Sequence, residues 1–219
     1  MERFTITADQ LEFFSKHGFI EFEGLFAQDR ITSLQEEIDR TLQQRSKSST
    51  PTNIFDNGYN LWTDSVTIKK IAAKRSVLAT ASTLFNAPIL RIAFDQYLST
   101  EKGQSIPFST SLRLEDTSCI KPLSGAFLLR LSDPCPEESE NRLLPGKKGN
   151  VLFIAPHFSI HWEMLSPLVD AQFYLVVLAP EKALYHLENR DPHTHALKKL
   201  GLVFGDRLSQ ALHPIIFRR

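Results

Sequence analysis

The residues able to do chemistry in this chain are mainly its histidines and acids, and the informative ones fall in two groups. Residues 157–162 read HFSIHW, so His157 and His161 stand four apart. In a regular strand or helix that spacing places both imidazoles on one face, where two neutral ring nitrogens can share a divalent metal. Residues 191–195 read DPHTH, with His186 upstream. A His-x-His pair beside an aspartate is donor chemistry for zinc or nickel. The competing reading of that stretch is a polar surface loop, because Asn189-Arg190-Asp191-Pro192 is strong turn chemistry. His161, next to Trp162, reads equally as a core histidine bonded to a backbone carbonyl. His17, just before Gly18, reads as a helix-end residue answering the dipole. Other chemistries lack their residues: the sequence holds no glycine-rich phosphate loop, no GxSxG elbow, no HExxH and no CxxC. The two cysteines, Cys119 and Cys135, are too few for a disulfide framework or a cysteine-based zinc site, and read as ordinary thiols in a reducing compartment.

These groups need elements to hold them. Thr7-Ala-Asp-Gln10 is a capping box that opens a short helix, with Leu11 and Phe14 on its apolar side and Gly18 at its end. Residues 19–22 follow as a short strand. Ile31, Leu34, Ile38 and Leu42 predict a helix over 28–45, and a second long helix is predicted over 65–85 and ended by Pro88. Residues 46–51 are the most linker-like stretch. Beyond Pro88 the pattern changes to β: residues 89–98, 109–114, 126–131, 151–154 and 172–178 read as strands buried on at least one face. Helical turns are predicted around 181–187 and 195–200. Helices first and strands later predict an α+β chain with a mainly antiparallel core.

Two segments carry a resemblance. Residues 7–42, TADQLEFFSKHGFIEFEGLFAQDRITSLQEEIDRTL, resemble the opening of phytanoyl-CoA-dioxygenase-like proteins, and residues 149–164, GNVLFIAPHFSIHWEM, look like their distal iron motif. The family belongs to the Fe(II)/2-oxoglutarate-dependent dioxygenase superfamily. The resemblance implies a double-stranded β-helix, a jelly-roll barrel supported by N-terminal helices: a single domain with helical support over 1–87, a barrel over 88–180 and a tail over 181–219. It implies Fe(II) held by two histidines and a carboxylate, with open positions for 2-oxoglutarate and oxygen, and an arginine fork for the cofactor's far carboxylate.

The carry-over onto this chain is incomplete. Where the family has H-x-D/E, this chain has Leu114-Glu115-Asp116, so the acid is present and the histidine is a leucine. The distal histidine matches His161, with His157 as competitor. At the arginine position stands Gln172, which offers the cofactor only a neutral amide. A compensated metal site would draw on Asp116, His161 and either Glu115 or His157. The local alternative for Glu115 and Asp116 is a turn cap before Thr117 and Ser118. The resemblance thus implies an oxygenase-fold protein with a degraded or atypical site for iron and 2-oxoglutarate, and a small apolar or acyl-type substrate. A metal-responsive binding or regulatory protein without turnover is the second reading, and a scaffold without metal the third.

Composition narrows the partners. The chain has 219 residues, 25 basic against 25 acidic, 42% hydrophobic and 16 phenylalanines. Zero net charge argues against a dedicated nucleic-acid binder, whose affinity rests on neutralising phosphates. The opening MERFTITADQ has no apolar signal region and no apolar run approaches the ~20 residues of a bilayer span, so a cytoplasmic protein without a membrane partner is expected.

Overall fold

The computed structural model describes residues 5–45, 53–100, 105–106, 111–134, 143–165 and 168–219, and within these everything but the side chains of residues 194 and 195. The linker read at 46–51, Cys135 and the opening of the 109–114 strand lie outside the described residues. The chain begins with α1 (Ala8–His17), β1 (Phe19–Phe22) and α2 (Gln28–Arg45). Thr7 caps α1 as its sequence foretells: its hydroxyl accepts the Gln10 N–H at 3.2 Å, and the Gln10 side chain accepts the Thr7 N–H at 2.9 Å. Gly18 ends α1 in the left-handed region. Thr7→Ala is expected to cost ~1 kcal/mol, read as a lowered urea midpoint with unchanged slope.

The long helix expected over 65–85 is two helices, α3 (Val66–Ala72) and α4 (Arg75–Leu84). The break falls at Lys74, whose backbone is extended. Its ammonium donates to the Leu25 carbonyl and sits 4.5 Å from the Phe26 ring centre, so a tertiary anchor overrides local helical periodicity.

The β part is one six-stranded antiparallel sheet in the order β1-β6-β5-β8-β2-β10, built from β1, β2 (Ile89–Ser99), β5 (Gly125–Arg130), β6 (Val151–Ile154), β8 (Gln172–Ala179) and β10 (Ile215–Arg218). Strands from both ends of the chain therefore flank the central four. Facing one side of the sheet are two separate two-stranded ladders, β3 (Leu112–Arg113) with β7 (Ser159–Ile160) and β4 (Ile120–Lys121) with β9 (Leu184–Tyr185). They stand where a double-stranded β-helix would have its second sheet; the described residues form these short ladders there. The strand β9 replaces the helical turn expected at 181–187, because Tyr185 pairs with Ile120. A last helix, α5 (Thr194–Lys199), precedes β10.

Both faces of the sheet are covered, and the period of two decides which side chain goes where. Phe127, Leu129, Phe153, Tyr174 and Val176 point to the helices and join Leu34, Ile38 and Leu78 in one core. Ala126, Leu128, Leu152, Phe173, Leu175 and Val177 point the other way, into a second core with Leu114, Ile120, Ile160 and Tyr185 from the ladders. That second core is the interior in which a site can form. No helix among the described residues is long and apolar enough to cross a membrane.

Candidate functional site

The sequence-derived metal residues are placed on the rim of this interior. After β3 the chain makes a single helical turn, Leu114–Thr117. Leu114 N–H donates to Phe158 O at 3.1 Å and Glu115 N–H to Pro156 O at 3.0 Å, so the turn is sewn to the HFSIHW segment. Leu114 is wholly buried in the inner core. Asp116 is forked by Arg113, with Nε to Oδ2 at 2.9 Å and Nη2 to Oδ1 at 3.1 Å, and Arg190 Nη2 stands 3.2 Å from Oδ1. The Arg113 hydrogen bond, with Arg190 adding to it, holds the Asp116 carboxyl below the usual carboxylate range against the opposing effect of burial. Glu115 Oε1 meets the same guanidinium, 3.0 Å from Arg113 Nη1. Since Arg113 is half-exposed, this cluster fixes orientation more than it adds stability.

The histidines do not converge on Asp116. A turn closed by Phe158 N–H to Ala155 O at 3.1 Å puts His157 outside, against Gly18. His161 is exposed, with Nδ1 3.3 Å from Glu163 Oε1. A turn and a strand end separate the two, so the shared face expected from four-residue spacing does not form. Gln172 points to the helix side, where its Oε1 accepts from Gln35 Nε2 at 3.0 Å while its N–H donates to Ser132 Oγ at 3.0 Å. Among the described residues no three His, Cys, Asp or Glu side chains lie close enough to hold a metal. The donor set does not fit iron: a leucine fills the first position, arginines take both Asp116 oxygens, and His161 faces water.

A different polar cluster lies inside. Gln96, on the inner face of β2, donates through Nε2 to Phe55 O (3.2 Å) and Tyr97 O (2.7 Å), and its Oε1 is 2.8 Å from His193 Nε2. Because the amide nitrogen is spent on carbonyls, Oε1 must accept, and we assign the His193 proton to Nε2. The His193 ring stacks on Tyr59 at 3.9 Å and 22°. Burial pushes His193 down to about 4, so it is neutral. Asp191 is buried and accepts from His193 N–H and Cys119 N–H, both at 2.6 Å. Thus the DPHTH stretch makes its turn, but His193 goes inward, not onto a surface loop. His186 meets Phe204 edge-on at 5.1 Å, away from His193; the His195 side chain lies outside what is described. Burial, with the Asp191 charge, pushes the Cys119 thiol far up, which leaves it inert as a nucleophile. Sequence reasoning missed Gln96 and Tyr59. The signal was the pair Asp95-Gln96 in the middle of the run from Ile92 to Leu98, which is otherwise hydrophobic, where a buried polar side chain demands a partner.

A slot opens between the sheet and the HFSIHWEML segment. Leu98, Leu128, Ile154 and Leu175 form its floor, and Phe158, Trp162 and Leu165 are among the residues of its wall. The slot is narrow, with a cavity volume of about 20 Å³, so a ligand must part its walls or lie along its open mouth. Among the described residues of the lining, His161 is the only ionisable side chain.

No family model matches the chain, and no curated protein matches it. Solved structures do. The non-heme alpha ketoglutarate dependent carbocyclase SnoK from nogalamycin biosynthesis superposes with a TM-score of 0.73 at 14% identity, over 96% of each chain. The epimerase SnoN of the same biosynthesis, solved with iron, alpha ketoglutarate and nogalamycin RO, gives 0.69 at 15% identity over 94% of this chain and 96% of that one. EctD from S. alaskensis, solved with 2-oxoglutarate and 5-hydroxyectoine, gives 0.66 at 14% identity over 93% of this chain and 86% of that one. The chain therefore has the fold of the iron/2-oxoglutarate-dependent oxygenases.

Proposed function

We propose that this chain is a small-molecule binding protein on the oxygenase fold, one that takes an apolar or acyl-type ligand in the interior slot and holds it without metal-dependent turnover. The observation that carries the reading is the lining: of its twelve described residues eleven are apolar and the twelfth, His161, is exposed to water. Ligand sites of this kind pair apolar walls with few polar groups. An acyl chain would lie along Leu98, Leu128 and Leu175, with its polar end at His161 and Glu163. The resemblance of residues 7–42 and 149–164 to phytanoyl-CoA-dioxygenase-like proteins agrees with an acyl-type ligand. The state of Leu114 and Asp116 favours binding over oxygenation.

The test is calorimetric titration with a medium-chain fatty acid, using wild type and Met164→Trp, which fills the slot from its half-buried wall. We expect saturable binding, weakened at least about tenfold by the added indole. A parallel anaerobic Fe(II) titration separates the readings. Iron affinity that rises with 2-oxoglutarate and is lost in His161→Ala and Asp116→Ala would replace this reading by an active oxygenase. Metal binding indifferent to 2-oxoglutarate would replace it by a metal-responsive protein.

A further inference from the structure

The turn that follows α5 is built to hold apolar side chains in water. The helix closes with Gly201 N–H to Lys198 O at 3.0 Å and Leu202 N–H to Leu197 O at 3.4 Å, with Gly201 at φ 87°. This is the Schellman arrangement, which needs a left-handed residue at its corner. Immediately after it comes a second tight turn. Asp206 N–H donates to Val203 O at 3.0 Å, the Asp206 carboxylate accepts Val203 N–H at 2.8 Å, and Gly205 is again at φ 87°. A positive φ at the third residue of a four-residue turn puts the second, Phe204, at the apex. The turn is anchored to β9, with Gly205 N–H to Tyr185 O at 2.8 Å and Tyr185 N–H to Asp206 O at 2.9 Å. It is a rigid presentation, not a loose loop.

What it presents is apolar. Phe204 is 66% exposed, Val203 64%, Leu200 59% and the neighbouring Leu187 63%. Phe204 is steadied on one edge by the His186 ring. Four large apolar side chains grouped this way mark an interaction site, whereas single exposed ones are ordinary. The rim is basic. Lys198, Lys199 and Arg207 are exposed and form no ion pair among the described residues. Of the nearby acids, Glu188 is paired with Lys121 and Arg190, while Asp206 accepts Val203 N–H and keeps its charge, which leaves three cations against one anion at the apex. A chain with zero net charge thus carries its local positive excess around its apolar apex.

We propose that this edge docks on an anionic lipid bilayer. Phe204 and Val203 enter the acyl boundary, Leu200 and Leu187 follow at the level of the headgroups, and Lys198, Lys199 and Arg207 meet lipid phosphates and carboxylates. A protein partner would need a complementary surface of roughly 800 Å² per side. Four apolar side chains and three cations are far fewer than the roughly 20–30 residues a side of such an interface, while a bilayer accepts a wedge of any shape and supplies the negative charge. This departs from the expectation that the chain has no membrane partner. The contact is peripheral and needs no spanning segment.

The experiment is co-sedimentation of the full chain with phosphatidylcholine vesicles, with and without phosphatidylserine. Binding is expected to the anionic vesicles and to weaken steeply with added salt. Val203→Ser with Phe204→Ser should weaken it about thirtyfold, the equivalent of unburying one large apolar side chain and part of another. Lys198→Glu with Lys199→Glu should weaken it at least about twentyfold, at about fivefold per basic residue. All substituted side chains are exposed, so thermal melts should stay unchanged. Absence of binding to anionic vesicles, equal binding to neutral ones, or indifference to the Phe204 substitution overturns the proposal. So does a concentration-dependent dimer, seen by sedimentation velocity, that Phe204→Ser dissociates; the edge would then belong to a second copy.

Discussion

Leu114→His restores the sequence pattern of an iron-binding strand, and it is expected to unmake the protein's stability without making a metal site. Leu114 has no exposed surface and packs in the inner core with Ile160 and Ile120. Histidine there loses the apolar contacts and buries an imidazole with no partner arranged for it. The two effects together cost about 2–4 kcal/mol. For a chain of this size that lowers the melting temperature by on the order of 10 °C. The new ring would still lack a competent neighbour, because both Asp116 oxygens are occupied by Arg113 and Arg190 and His161 is turned to Glu163. An iron ligand set tolerates little misplacement, since even outer partners of a ligand are worth 10–100-fold in affinity. Anaerobic Fe(II) titration of Leu114→His should therefore match wild type. Tight iron binding in the variant, strengthened by 2-oxoglutarate, would show that Asp116 and His161 can swing into place and that the leucine alone had disabled the site.

The same residues show what the sequence could and could not say. The capping box at Thr7, the helix at 28–45 and the strand at 19–22 follow local rules, and the structure has them at those positions. The departures are tertiary. Lys74 breaks a helix to reach the carbonyl of Leu25, and Tyr185 becomes a strand because Ile120 is there to pair with. For the site, Leu114 in place of a histidine was readable as a missing ligand. That Asp116 is held by Arg190, 74 positions further on, was not, because no local pattern links them. His193 was read as metal chemistry or surface loop; its actual partners, Gln96 and Tyr59, are 97 and 134 positions away in sequence. The slot was not readable either, since its walls are ordinary leucines whose facing depends on the register of four strands.

Three buried titratable groups, Asp95, His193 and His213, are expected to place the stability optimum near pH 6.5. Asp95 has no exposed surface. Its Oδ2 accepts from Trp62 N–H at 3.1 Å and from the Tyr174 hydroxyl, while Oδ1 has no hydrogen-bond partner among the described residues. Burial raises its carboxyl to about 7; Tyr174, Trp62 and the charge of Arg45 oppose that shift without cancelling it. His193 and His213 are pushed the other way, each to about 4, chiefly by burial; His213 Nδ1 is bonded to Ala93 O at 2.9 Å and Arg91 lies nearby. The signs follow from proton counting. Between pH 4 and 7 native Asp95 holds a proton that the unfolded chain has released. Its contribution is complete in acid and is lost as pH rises through 7, on the order of 4 kcal/mol over the span. Between pH 4 and 6.5 the unfolded histidines hold protons that the native ones do not. Their contribution is complete above pH 6.5 and is lost as pH falls toward 4, on the order of 3 kcal/mol each. Two protons against one leave a net loss of stability on acidification below pH 6.5, on the order of 1 kcal/mol per pH unit, and a shallow decline above the optimum. Asp191, raised by burial, works in the direction of Asp95 and makes the acid slope shallower, and Glu188, lowered to about 2 by Arg190 and Lys121 despite its burial, works against it below pH 4.5. Asp95→Asn keeps the acceptor for Trp62 and removes the proton. Urea unfolding at a series of pH values should show its acid slope about doubled and its decline above pH 6.5 gone, while His193→Gln should flatten the acid slope. An unchanged slope in Asp95→Asn would mean that Asp95 is ionised in the folded chain, with a charge facing its Oδ1 and a different electrostatic reason for the Tyr174 bond.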